Sequence, residues 1–296
     1  MTRRIALLLA VVLLAAAPRV PQNDFADPAF AGPLAAGLRA FYTRDFATAQ
    51  ERFSTALDER PANTFALAFL NATAAQTPGA LDALIAREED ALAGRPNDAL
   101  AHLRLGFSYV LAGEMGNDRT ADARQEFETT ERLDPAAAAP HVGLGILRES
   151  ERSANRAKVE FLTALAADPT DVLAREYLGL IYQVDLKDPQ HALSLMIAVP
   201  NVVPDYADID FHLASVLYDL HQSKDAVAYA TRALELDTGH VGEAGRYGYT
   251  LLARIYLDDK QLADARRVLH AAIAAGADPL YATSLLDRID AGDYGK

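Results

Sequence analysis

Helix-stopping prolines recur along the chain at Pro61, Pro96, Pro135, Pro169 and Pro204, separated by 35, 39, 34 and 35 residues. Ahead of Pro61, the stretch DFATAQERFSTALDERP places Ala49, Phe53 and Ala56 at i, i+4 and i+7, one face of a helix that the proline ends. Ala157, Phe161, Ala164 and Pro169 repeat the arrangement. Upstream of each set stands a small residue, in the series Gly37, Ala72, Gly106, Gly145, Gly179, Ala214 and Ala253. Leucine precedes it at Leu105, Leu144, Leu178, Leu213 and Leu252, and an aromatic follows three later at Tyr109, Tyr182 and Tyr256. Past Pro204 the period continues without proline: Ala226, Ala230 and Ala233 precede Thr238, and Ala265, Leu269 and Ala272 precede Ala277. Such a period constrains the fold strongly, because a short unit can bury its apolar face only against its neighbours. The spacing predicts seven helical hairpins. Small residues bring the two axes of each hairpin together, and Phe, Tyr and Leu fill the space to the next.

The Leu-Gly, Tyr, Ala, Phe, Ala, Pro series resembles that of the tetratricopeptide repeat family, most fully over His141 to Pro169 and in total over about Pro33 to Pro279. The resemblance implies an all-α, right-handed solenoid of about seven hairpins whose first helices line a concave binding face. In the family's register the residues facing that groove include Phe41, Tyr42, Phe69, Phe107, Ile146, Glu149, Leu180, Phe211, Tyr218 and Arg254. Lys, Arg and Asn are nearly absent among them, which argues against a clamp for acidic peptide termini. The apolar, aromatic groove implies a noncatalytic scaffold for a protein or peptide segment with hydrophobic anchors. Three other readings stay open at this point. Tight curvature, the N-terminal tether or self-association fills the groove; the stack ends self-assemble; or the chain is an enzyme or accessory subunit that holds a small ligand between two loop insertions, Gly113 to Thr120 and Asp237 to Gly245.

Those insertions are departures from the period. AGEMGNDRTA adds about five residues between the helices of the third unit, and DTGHVGEAG, residues 237–245, adds a similar surplus between the sixth and seventh. Additions to a solenoid emerge as edge loops, where special contacts are expected. The second unit has Glu88 where the aromatic belongs, which predicts loose packing of its second helix. The fifth has an extra residue near Asp188 and an early Pro200, which should shorten or break its second helix. Tyr281, Leu285, Leu286 and Ile289 after Pro279 are spaced for a final helix that caps the stack.

The remaining features narrow the function classes. A net charge of −13 argues against nucleic acid, whose phosphates need clustered cations. Without cysteine there is no disulfide, thiolate zinc site or cysteine nucleophile. The seven histidines show no H-E-x-x-H pair; GLGILR and GEAGRYG lack the strand and the lysine that would make them phosphate loops; and no GxSxG occurs. We therefore expect no catalytic residue, metal or cofactor. MTRRIALLLAVVLLAAAP sets Arg3 and Arg4 before an apolar run from Ile5 to Ala17, the pattern of a secretory signal and short of the ~20 residues that span a bilayer. Residues 1–17 read as a signal peptide or an uncleaved anchor, 18–29 as an extended tether and 30–293 as the solenoid. The expected location is outside the cytoplasm, with membrane contact only if the anchor is retained.

Overall fold

A computed structural model of the chain describes residues 24–293, so the signal segment and the first half of the tether lie outside the described residues. Seven antiparallel helix pairs follow one another: α1 (Pro28–Tyr42) with α2 (Phe46–Glu59), α3 (Thr64–Ala75) with α4 (Ala80–Ala93), α5 (Ala99–Glu114) with α6 (Thr120–Leu133), and α7 (Ala139–Ser150) with α8 (Ala154–Ala167). The fifth pairs α9 (Val172–Leu180) with α10 (Pro189–Met196) and a short α11 (Val199–Val202). The last two are α12 (Ala207–Asp219) with α13 (Ser223–Leu236), and α14 (Glu243–Asp258) with α15 (Leu262–Ala275). No strand occurs among the described residues. The stack ends on α16 (Pro279–Asp290), which buries Ala282, Leu285, Leu286 and Ile289. Tyr281, expected to help cover the end, is turned outward.

Local sequence fixes where these helices begin and turn. Asp45, Asn63, Asp98, Asp171 and Asp188 each precede a helix and accept its free backbone N–H groups at 2.8–3.1 Å. Arg44, Arg152, Lys187, His221 and Lys260, together with Gly79 and Gly116, carry the positive φ that reverses the chain inside all seven hairpins.

Between paired helices the small residues act as the period predicts. A Cβ on Gly37 would come within 2.7 Å of the Phe53 ring, on Gly106 within 2.6 Å of Phe127, and on Gly145 within 2.6 Å of Phe161. In the fifth hairpin Met196 takes the aromatic's place, 2.5 Å from where Gly179 would carry its Cβ. Gly145→Ala sets a helix-propensity gain of up to ~1 kcal/mol against an overpacking cost of about 1–3 kcal/mol. The contact is with a fully buried ring, so the cost wins. The expected result is a loss of about 1 kcal/mol, read as a lower urea midpoint at unchanged m-value.

The irregular units depart as their sequences foretell. Glu88, in place of the missing aromatic, accepts a 2.7 Å hydrogen bond from Ser108, and a cavity of about 440 Å³ opens beside it between Leu57, Leu70 and Leu100. The fifth hairpin absorbs its extra residue as a π turn over Ile181–Asp185, and its second helix breaks between α10 and α11. One expectation is corrected. Residues 24–29 are not an extended tether: Asp24–Ala26 form a 3₁₀ turn and α1 starts at Pro28. Arg60 holds them, reaching Asp24 at 3.0 Å and Asp27 at 2.6 Å, and Phe25 packs edge-on against Phe30 and Phe65.

Candidate functional site: a cavity where the solenoid closes

The superhelix turns tightly enough for its first two hairpins to touch its last three. Phe65 and Phe69 of α3 meet the ring of Tyr206 at 4.8 and 5.6 Å. Four polar contacts join the same surfaces. Tyr42 donates its hydroxyl to Asp208 at 3.1 Å, Thr64 donates to Asp171 at 2.8 Å, Arg39 pairs with Asp205, and the Gly239 N–H donates to the Tyr42 carbonyl at 2.7 Å.

The last contact explains the insertion at 237–245. Asp237, fully buried, gathers the N–H groups of Val241, Gly242 and Gly245 at 2.8–2.9 Å and folds the segment into a compact strap. Its glycines make room for what presses on it. A Cβ on Gly239 would stand 2.7 Å from the Tyr42 carbonyl, and one on Gly242 2.4 Å from the Asp208 carboxylate. Val241 and Ala244 then join the core that runs through the first six hairpins.

Beneath the strap lies a cavity of about 280 Å³. Phe41, Phe69, Leu173, Tyr177 and Leu180 supply its apolar wall. Opposite them stand Glu176, Asp208, His212, Glu243 and Arg246. Glu176 is 2% exposed and is satisfied on both oxygens, by Tyr206 at 2.5 Å and by His212 Nδ1 at 2.9 Å. His212 Nε2 reaches Glu243 at 3.2 Å. Burial opposes charge on this imidazole, but the hydrogen bonds and negative charge of Glu176 and Glu243 outweigh it and hold its pKa up at about 10, so it is a cation at neutral pH. Burial pushes Asp208 up to about 6, with Glu176 and Glu243 adding to the effect against the Ala244 N–H and His212. Burial keeps Tyr42 and Tyr206 as neutral hydroxyl donors.

The ten groove residues expected from the repeat register fall into separate places. Phe41, Phe69 and Leu180 meet at the cavity. Tyr42, Phe107 and Ile146 are 1, 3 and 6% exposed, so they are core residues of the closed superhelix and offer no open surface. Glu149 lies beside Val184 and Asp185 over a different surface hollow. Phe211 is half-buried near Tyr247, and Tyr218 bonds Asp258 with Arg254 over its ring at 5.5 Å. Of the three core residues, Tyr42 is taken up by the closure itself, where its hydroxyl donates to Asp208. Of the two insertions, only 237–245 lines the cavity; in the other, Arg119 stacks over Tyr109 at 4.0 Å and pairs with Glu89. His102 and His141 do not meet. Each pairs with the glutamate before its hairpin's phenylalanine, Glu126 at 2.5 Å and Glu160 at 3.0 Å. Among the described residues no three His, Cys, Asp or Glu side chains are placed so that they could hold a metal ion.

His212, Tyr206 and Asp208 were not among the expected site residues. A signal for His212 exists in the period itself: Glu176 and Glu243 lie 36 and 31 residues away, about one repeat on either side. The Gln183 bonds to Ser215 and Asp219, 32 and 36 residues on, follow the same rule.

Seven hairpins with a capping helix and a cavity among their first helices define a helical-repeat protein, and the fold is that of the tetratricopeptide repeat solenoids. It is similar to PilF of Pseudomonas aeruginosa, at 17% identity and a TM-score of 0.56 over 78% of this chain and 99% of that one. It is also similar to YrrB, a TPR protein described as having an unusual peptide-binding site, at 19% identity and a TM-score of 0.52 over 68% and 97% of the two chains. A tetratricopeptide repeat protein of Parabacteroides merdae aligns over 88% of this chain and 98% of its own, at 16% identity and a TM-score of 0.50. The sequence matches no protein-family model and no curated protein.

Proposed function

We propose that the protein is a noncatalytic scaffold for protein–protein interaction, working outside the cytoplasm, and that it takes a hydrophobic anchor of a partner segment into the closure cavity. The observation that carries this reading is the meeting of Phe41, Phe69 and Leu180, from three hairpins, on the cavity's apolar wall, where Leu180 is half-buried and the two rings lie behind it, nearly buried. At about 280 Å³ the cavity stands at the low end of ligand-site volumes, about 300 to 1,000 Å³, and it has room for one or two side chains. A buried apolar anchor contributes about 1.5–3 kcal/mol, so the rest of the affinity comes from the rim, where Glu243 and Arg246 are exposed. The extracytoplasmic location is supported by Arg3, Arg4 and the apolar run that follows.

The test is crosslinking capture from the native envelope, followed by Leu180→Arg in the captured pair. Leu180 is half-buried at the cavity wall, and the expected loss is about tenfold in affinity, near 1.4 kcal/mol, with the helical circular dichroism unchanged. Undiminished binding overturns the cavity assignment.

A further inference from the structure

Both hydroxyl-to-carboxylate contacts at the closure share an unusual design. We propose that Asp171 and Asp208 are proton-operated clasps, so that the N-terminal hairpins are held against the C-terminal ones more tightly in mildly acidic solution than at neutral pH. The inference stands on the closure contacts and does not depend on what the cavity binds.

Asp171 is 8% exposed. One of its oxygens caps α9 by accepting the Ala174 N–H at 2.8 Å, and the other accepts Thr64 from α3. Asp208 accepts the Ala244 N–H of α14 with one oxygen and Tyr42 of α1 with the other. Neither is given a cation of its own. Asp168 is the charged neighbour of Asp171. Around Asp208 stand Glu176 on α9, Glu243 on α14, the neutral hydroxyls of Tyr42 and Tyr206, and His212, whose charge is shared between the two glutamates. Arg246 lies on the wall of the same cavity. The partners that cross the closure are hydroxyls, which accept as readily as they donate. A protonated carboxyl therefore keeps its contact by reversing the bond, where an arginine partner would be lost.

Burial raises both groups to about 6 in the closed form, against an ordinary value of 3.8. Opening returns them to water. A raised pKa means that the closed form binds the proton more tightly, so its advantage is full below the ordinary value and is lost as pH rises through 6. Asp210, pushed by burial to about 7 despite Arg232, faces α13 and does not cross the closure, which makes it a control.

The Gly239 amide, bonded to Tyr42 across the closure, is the direct reporter. Its hydrogen exchange in the full chain, corrected for intrinsic rate, is measured at about pH 5 and about pH 7.5. The expected result is protection roughly tenfold higher at the lower pH for each carboxylate that opening exposes. Asp171→Asn with Asp208→Asn mimics the protonated state, and should hold protection high and flat across the range; Asp171→Asn alone should remove about half of the dependence on a logarithmic scale. Asp210→Asn should leave it intact. Wild-type protection that is flat or rises with pH overturns the proposal, as does a full dependence surviving in either asparagine variant.

Discussion

Phe127→Ala should be among the most damaging single changes in this chain, lowering stability by about 3–5 kcal/mol. The ring is fully buried on α6 and serves two hairpins at once. A Cβ on Gly106 of its own hairpin would meet it at 2.6 Å, one on Gly143 of the next hairpin at 2.2 Å, and Phe107 packs edge-on against it at 5.3 Å. Backbones that approach this closely cannot collapse further to fill the void, so the cavity term adds fully to the lost transfer energy. Chemical denaturation reads the loss as a midpoint shift. A variant within 1 kcal/mol of the parent shows that α5 and α7 can close the gap. Phe127→Leu should recover part of the loss.

His212→Ala is expected to cost about 3–5 kcal/mol by a different route. Removing the cation leaves Glu176, at 2% exposure, with one oxygen unpaired and no compensating charge. The pH dependence separates this from simple cavity formation. The imidazole is charged at about 10 in the fold and ordinarily near 6.5, so its contribution is complete below 6.5 and disappears as pH rises through about 10. The parent should lose stability between these limits and the alanine variant should not. Equal slopes in the two proteins over that interval sink the assignment. His212→Ala with Glu176→Gln should regain stability relative to the single change, since the stranded charge is then removed too.

How much of this was readable in advance depends on the distance over which each interaction acts. Gly145 facing Phe161 is a contact within one hairpin, sixteen residues apart, and the period exposes it because every unit must solve the same packing problem. Pro200 breaking the fifth unit is local as well. Contacts between successive hairpins, such as His212 with Glu176, lie one repeat away and become visible only when the first helices are aligned with each other. The closure obeys neither rule. Tyr42 and Asp208 are 166 residues apart, and their meeting depends on small rotations summed over five units, which no single segment encodes. Phe107 and Ile146, groove positions by register, are core residues in fact, Phe107 through its packing on Phe127 of the same hairpin.

The strap's hold on α1 changes what kind of polymer this protein is. An open array of repeats is nearly one-dimensional: each unit knows only its neighbours, and the chain can fray from either terminus. Gly239 bonded to Tyr42 gives the terminal hairpin a second, distant neighbour. End fraying then has to break the closure first, which links the first units to the fifth, sixth and seventh in one cooperative block. The same bond lengthens the loop that must be closed in folding. Such long-range pairing slows the search while it protects the finished molecule.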